Sequence, residues 1–349
     1  MDRRRERGEV IARDLMAADQ AGELSVAELL EDVYYRADYQ ALHAAPDALE
    51  LATGDGGFCH GAALRPLPLD AGGAPGWHDL ETPYGYGGPI AHDLAALERG
   101  LERWCERQRD MRHVAELIRF HPLIDARALA ARLDFFARDR ETVIVDLGVS
   151  AEARRAAYHP SARRHLARAR RALEVRPLRA DERDAERLAA MHHAMLGRQR
   201  ADARHWAPTS YYASLLGAPW SDAWAATLDG EVIAAMCFIS STARIAHYHL
   251  GGGDKRGRAH AAHYLLLDHA FEHYAARGAS WMHLGGGRGA ALDDSLLRFK
   301  RRFSPRAASY YVGGIVHDPQ RYRALGGAQH GWFLGYRRGV GRDSQQDAR

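Results

Sequence analysis

The sequence predicts an α/β protein built as two tandem domains, and three observations carry that prediction. First, 349 residues with 46% hydrophobic and 27% charged side chains have the length and balance of two ordinary soluble domains. Second, segments with strand-like patterning and segments with helical spacing alternate along the chain, the order of mixed sheets covered by helices. Third, the order recurs. The Gly-Gly pairs at 87–88 and 251–252 lie 164 residues apart, and strand-like segments from Val114 and Trp281 lie 167 apart. Their agreement points to two copies of one α/β unit.

The elements follow in order. The first ~25 residues read as a polar helical lead-in. Ser25 with Glu28 three residues on forms a capping box for a helix through Leu29 and Leu30. Gly54-Asp-Gly-Gly57 is a turn before a strand from Phe58 to Leu64, and Pro66 to Gly76 is a loop. Leu94, Leu97, Leu101 and Trp104 have helical spacing, which predicts a helix from Leu94 to about Arg109. Val114 to Phe120 reads as a strand, Arg127 to Arg138 as a helix and Thr142 to Leu147 as a strand. In the second half, Ile245 to Gly253 is an aromatic strand ending in glycines, followed by a helix over Ala259 to Ala276 and a strand over Ser280 to Leu284. The domains are placed at 1–148, completed by 317–336, and at 149–316, with a polar tail over 337–349.

Composition narrows the function. The 48 basic residues comprise 46 Arg and two Lys, Lys255 and Lys300, and Asn is absent. A GC-rich coding bias explains most of the arginines, so the two retained lysines are the informative ones, because ammonium and guanidinium are not equivalent. A net charge of +3 is too small to imply duplex-wide nucleic-acid binding and leaves room for a local basic patch. No apolar run approaches the ~18 residues of a membrane span. No apolar stretch follows the charged start, so no secretory signal is read. Cys59, Cys105 and Cys237 lack disulfide or zinc spacing. A reduced, cytoplasmic monomer is expected.

Five segments carry chemistry. Ser161-Ala-Arg163-Arg164-His-Leu-Ala-Arg168-Ala-Arg170-Arg171 is a basic helix that Ser161 could cap; guanidinium forks and a helix N-terminus both hold phosphate, although a solvated face is the plainer reading. Gly251-Gly-Gly-Asp254-Lys255-Arg256-Gly257-Arg258-Ala259 joins a strand to a helix and could cradle an anion, or be a plain surface turn. Gly285-Gly-Gly287-Arg288-Gly289-Ala290 matches a dinucleotide fingerprint formally, but no second strand with a ribose-binding acid follows. His247 and His249 share a strand face without a third ligand at a recognisable spacing, so no metal is expected. Asp294-Ser-Leu-Leu-Arg-Phe299-Lys300-Arg301-Arg-Phe303 is a short helix after the glycine turn, where Lys300 could stabilise an oxyanion or a phosphate.

Taken together, these residues resemble the FemABX family of aminoacyl-tRNA-dependent transferases and the related GNAT-type acyltransferases. The resemblance spans about residues 30–320. It rests on Arg163-Arg164-(x3)-Arg168-Ala169 followed by Glu174-Val175, on Tyr248-His249-Leu250-Gly251-Gly252, and above all on Leu284-Gly-Gly-Gly287 with Asp294-Ser-Leu and Phe299-Lys300-Arg-(x)-Phe303. Asp32-Val-Tyr34-Tyr35-(x3)-Tyr39 and Thr82-Pro-Tyr84-Gly-Tyr86-Gly-Gly88-Pro add to it. It implies two GNAT-like (acyl-CoA N-acyltransferase-like) domains with a substrate cleft between them and a chain end that returns to the first. It also implies transfer of an aminoacyl group from the 3′ end of tRNA to an amine, with Phe299 and Lys300 as the active-site pair and Arg163 and Arg164 holding a nucleotide-linked acceptor. The coiled-coil arm of some members is absent, since 180–208 is too short for it.

From these readings Tyr84, Tyr86, Tyr248, His249, Arg288 and Asp294 are assigned to substrate, and Lys255, Arg256, Arg258 and Arg301 to the donor's phosphates. Tyr248, His249 and Asp294 are also candidates for a general base. Gly257 and Ala259 fit the pyrophosphate loop of acetyl-CoA-dependent N-acetyltransferases, but Asp254 stands where Gln or Arg belongs and would repel the pyrophosphate. The expected donor is therefore aminoacyl-tRNA, with no other cofactor, and the acceptor a small amine or peptide: a secondary metabolite or a peptidoglycan precursor. Acyl-CoA is the alternative donor, and a non-catalytic tRNA- or nucleotide-binding protein the third reading.

Overall fold

The computed structural model describes residues 25–44, 47–68, 75–201, 206–241, 244–289, 291, 293–329 and 332–337. The expected lead-in helix, the tail beyond Arg337 and part of the 66–76 loop lie outside them. The chain divides into two compact units, 1–141 with 308–349, and 142–307. These breaks fall several residues before the expected 148/149 and 316/317.

In the first unit Ser25 and Glu28 cap each other's ends of α1 (Val26–Leu30), as the capping box predicts, and α2 (Ala37–Leu42) follows. Strands β1 (Leu49–Gly54), β2 (Phe58–Pro66) and β3 (His78–Glu81) pair antiparallel. Helix α3 (Leu94–Asp110), capped by Asp93, then crosses to β4 (His113–Arg119), which pairs parallel with β3. The helix expected from Arg127 to Arg138 is a 3₁₀ turn over Ala126–Arg132 and the start of β5 (Phe135–Asp146). The aromatic pair decides this: Phe135 stacks on Phe333 and Phe136 on Tyr311, and the Asp134 N–H donates to Gly314 O, which draws the chain into the sheet.

The second unit takes up the end of β5 and then α4 (Ala151–Ala157), α5 (Pro160–Ala172), β6 (Glu174–Pro177), α6 (Glu182–Gln199) and α7 (Thr209–Gly217). Strands β7 (Ser221–Leu228), β8 (Glu231–Ile239) and β9 (Ile245–Gly253) pair antiparallel. The helix expected from about 259 to 276 is α9 (Ala262–Ala276); a short helix α8 (Lys255–Ala259) precedes it, and the two are separated where Ala261 takes φ +59°. Strand β10 (Trp281–Gly286) returns parallel to β9, and β5 lies antiparallel beyond it. Strand order is β5-β10-β9-β8-β7-β6. Ala162, Leu166 and Ala169 of α5, Leu173 just after it, and Leu266, Ala270 and Phe271 of α9 form one core with Met236, Ala246 and Met282 of the sheet. Helix α10 (Ser295–Lys300) adds Leu297 to it, and Phe303 follows.

The chain then re-enters the first unit as β11 (Ala307–Val316), antiparallel to β4, and α11 (Pro319–Ala324). Tyr336 and Arg337 close that unit on the Asp79 carboxylate of β3. Each unit thus holds three consecutive antiparallel strands, a helix that crosses to a parallel strand, and a further antiparallel strand beside that one; the second unit adds β6 at the outer edge of β7. The recurrence read from the sequence is one of topology: β3 and β9 begin 167 residues apart. Its glycine marker is not equivalent, since Gly251 and Gly252 lie within β9 whereas Gly87 and Gly88 follow β3. Among the described residues no helix is long and apolar enough to cross a membrane.

Candidate active site

In the second unit the parallel pairing of β9 with β10 covers three positions and ends at His247 opposite His283. Beyond it β9 stays with β8 and β10 stays with β5, so the two parallel strands part. Both are irregular there. The β8–β9 register shifts between Cys237 and Phe238, opposite Leu250 and Tyr248, which leaves His249 as an extra residue on β9. The β10–β5 register shifts between His283 and Gly285, and Gly285 has φ +72°. Bulges of this kind bend a strand and re-aim its groups.

Lys300 sits at this opening. Its Nζ donates to Gly286 O at 2.7 Å and lies 5.7 Å from the centre of the Tyr248 ring, and the residue is only 6% exposed. The local fold is built to hold it. Asp294 caps α10 by accepting from the N–H groups of Leu296 and Leu297 at 2.8 and 3.0 Å. A Cβ on Gly287 would press on that carboxylate, so the third glycine makes room for the cap. Burial works against the Asp294 charge, but the N–H groups of Leu297, Arg288 and Leu296 and the Arg288 guanidinium outweigh it and hold the carboxyl below its usual range. Asp294 is therefore a helix cap, poorly suited to take up a proton. Arg288 lies against it and against Ser295 Oγ.

The anion loop is occupied by the protein itself. Asp254 Oδ1 accepts the Gly257 N–H at 2.8 Å, and Arg256 Nε donates to Asp254 Oδ2 at 3.0 Å. Arg258 Nη1 turns back to the carbonyls of Gly253 and Asp254. The glycines have packing reasons. A Cβ on Gly252 would overlap the Met191 carbonyl of α6, and one on Gly257 would overlap the Ile233 carbonyl of β8. Lys255 is exposed at the start of α8.

A profile of the Acetyltransferase (GNAT) domain family matches residues 160–301. That stretch lies in the second unit, which is similar to a GNAT domain there. Over the chain as a whole, the structure of FemX superimposes with a TM-score of 0.64 at 11% identity, covering 91% of this chain and 97% of that one. L-PGS from Bacillus licheniformis gives 0.55 at 12% identity, covering 92% and 94%. At such identities the likeness is one of fold, and the fold is the one implied by the resemblance to FemABX proteins. No curated protein sequence matches the chain.

The other expected residues of the second unit are placed as follows. The Phe299 ring packs edge-on against Tyr264 and Phe303 at 5.1 and 5.6 Å, at the rim of the core. His249 is paired through Nε2 with the Tyr211 hydroxyl of α7 at 2.9 Å, whereas its neighbour Tyr248 packs on Phe238. On α5 the cap is His159, whose ring accepts from the Ser161 N–H, and not Ser161. Arg163 donates to Ala156 O, Arg168 to Ala259 O, and Arg170 to the buried Asp268, which also holds Arg155 and the Tyr158 hydroxyl. Arg164 and Arg301 are exposed. Tyr211 and Asp268 carry no signal in the sequence, because their partners lie 38 and 110 residues away; Gly286 falls within the glycine motif, where nothing marks its carbonyl as the acceptor.

Tyr84 and Tyr86 belong to the first unit. Tyr84 is 49% exposed, and its carbonyl accepts from the Tyr39 hydroxyl. Tyr86 stands edge-on to Tyr34 and Tyr310, and burial raises its pKa.

Proposed function

We propose that the protein is an aminoacyltransferase that moves an aminoacyl group from the ester at the 3′ end of tRNA to the amine of a small-molecule or peptide acceptor. The observation that carries this reading is the Lys300 ammonium, held by Gly286 O where β9 and β10 part. The amine nitrogen attacks the ester carbonyl carbon, and the carbonyl electrons move to oxygen. Lys300 stabilises that oxyanion in a site shielded from water, where a fixed cation is worth most. Collapse breaks the ester C–O bond, and the ribose oxygen leaves with the proton lost by the amine. The products are an amide and deacylated tRNA.

Asp254 favours this donor over acyl-CoA. An ionised carboxylate already caps the helix N-terminus where a pyrophosphate would bind, and the surrounding hydrogen bonds keep it ionised despite its desolvation. Arg163 and Arg164 then serve the nucleotide-linked partner from the exposed side of α5, and Phe299 acts by seating α10 on the core. The test is transfer from labelled aminoacyl-tRNA to a panel of amines. Amide formation that stops on RNase pretreatment of the donor supports the reading, and formation that survives it contradicts it. Acyl-CoA-dependent N-acylation is the second reading, favoured by the GNAT domain match over 160–301; tight acyl-CoA binding in calorimetry would support it.

A further inference from the structure

The arginines of α5 divide into two kinds. Arg170, with Arg155 of α4, is spent on the carboxylates of Asp268 and Glu272 of α9. The partners of the others are neutral: Arg163 donates to Ala156 O, and the exposed Arg168 to Ala259 O at the end of α8 at 2.7 Å. Arg302, just past α10, donates to the Tyr264 hydroxyl at 2.6 Å. A neutral acceptor fixes a guanidinium without cancelling its charge. These cations converge on one place in the second unit. The His165 ring stacks on Tyr264 with centroids 4.8 Å apart and planes at 29°. Partial burial first, and then the charges of Arg168, Arg302 and Arg164, push its pKa down, and no carboxylate contributes. Arg164 and Arg168 are like charges four residues apart on a helix, an arrangement that costs stability until an anion meets it.

We infer that the face formed by Arg164, Arg168 and Arg302 around the His165–Tyr264 stack docks the phosphate backbone of duplex RNA. This rests on the aminoacyl-tRNA reading and names the part of the donor that the face takes, its acceptor stem. Guanidinium forks match phosphate oxygens in geometry as well as charge. Contacts to the backbone position an RNA without reading its sequence, which suits an ester carried at the same 3′ end by every tRNA. A lipid surface is the other polyanion, but stable attachment to it takes a second, apolar signal. The large exposed apolar side chains among the described residues are Leu51, Tyr84, Met111, Val149 and Trp206, and none lies on α5, α8, α9 or α10. The patch is also local, as the small net charge of +3 requires.

The test measures binding of the full chain to uncharged tRNA and to an RNA hairpin of acceptor-stem length, by fluorescence anisotropy over about 50–200 mM salt. R168Q and R302Q are each expected to lower the slope of log K against log salt by about 1. Together they are expected to weaken binding roughly tenfold at the lower salt. R168K/R302K keeps both charges and is expected to retain the slope. R164Q, at an exposed position, is expected to lower it by about 1 as well, and keeps the test open if the double variant does not fold. The inference is overturned if the wild type does not bind the hairpin, or if folded R164Q and R168Q/R302Q bind it with wild-type affinity and slope. It is equally overturned if phosphatidylglycerol vesicles bind as tightly and lose binding in the same variants, since the face is then a membrane site. No transfer step enters these readouts. Normal RNA binding by the variants with RNase-sensitive transfer defeats only this inference, and slope loss in the variants with RNase-resistant transfer defeats only the donor reading.

Discussion

The Nζ atom of Lys300 lies 2.7 Å from the carbonyl oxygen of Gly286, on a strand that has already parted from its parallel neighbour. Two features of the sequence meet in this one contact: the glycine run that lets β10 bulge, and one of two lysines among 46 arginines. An ammonium is compact and offers its donors in any direction, whereas a guanidinium is a broad planar fork. That difference matters at a residue only 6% exposed.

Lys300→Arg therefore keeps the charge and is expected to lower kcat for aminoacyl transfer on the order of 10²-fold, the scale of losing one oxyanion donor. Lys300→Met removes the charge and the ammonium's hydrogen bond to Gly286 O, for an added stability loss of about 1–3 kcal/mol. Steady-state kinetics and urea unfolding separate the two effects.

Asp254 gives a prediction about the donor. Calorimetry is expected to show no tight binding of acyl-CoA by the wild type. Asp254→Ala loses the cap of α8 and is expected to cost about 1 kcal/mol. Sub-micromolar acyl-CoA binding by the wild type would transfer the proposal to the other donor.

The first unit supplies a pH prediction. Glu116 is fully buried, with His60 Nε2 at 2.6 Å from Oε1, and Trp104 Nε1 at 2.7 Å and His317 Nε2 at 3.3 Å from Oε2. Burial opposes its charge, but His60 and His317 outweigh it and hold its pKa well below the usual carboxylate range. A depressed folded pKa gives stability that is present above the unfolded value, near pH 4.5, and is lost as the pH falls toward the folded one. Glu116→Gln is thus expected to destabilise by about 3–5 kcal/mol at pH 7, with a smaller penalty in acid. Unfolding free energies between pH 3 and pH 7 check both the size and the slope.

Gly252 separates packing from ligand binding. Its missing Cβ makes room for the Met191 carbonyl of α6, which is backbone and cannot turn aside. Gly252→Ala is expected to destabilise by about 1–3 kcal/mol, read as a fall in Tm, whether or not any nucleotide is present.

Much of this fold was legible because its signals are local. The Ser25–Glu28 box, the apolar spacing of Leu94, Leu97, Leu101 and Trp104, and the aromatic strand ending at Gly253 each lie within a few turns of chain. The failures are tertiary. Phe135 and Phe136 look compatible with a helix until Phe333 and Tyr311, nearly 200 residues on, stack against them. The glycines at 251–253 suit an anion cradle in sequence, and only the approach of α6 at Gly252 and of β8 at Gly251 and Gly253 shows why side chains are excluded. Within the candidate site, Lys300 could be picked out from coding bias and motif alone. Its acceptor, Gly286 O, could not, because a backbone carbonyl leaves no mark in a sequence.

The most direct measurement is mass spectrometry of the products formed from a pool of aminoacyl-tRNAs and candidate amine acceptors by the wild type and Lys300→Arg. The account predicts an acceptor heavier by one amino-acid residue with the wild type, little or none with the variant, and none from an RNase-treated pool. Equal product from the treated pool, or product formed only when acyl-CoA is supplied, would contradict it.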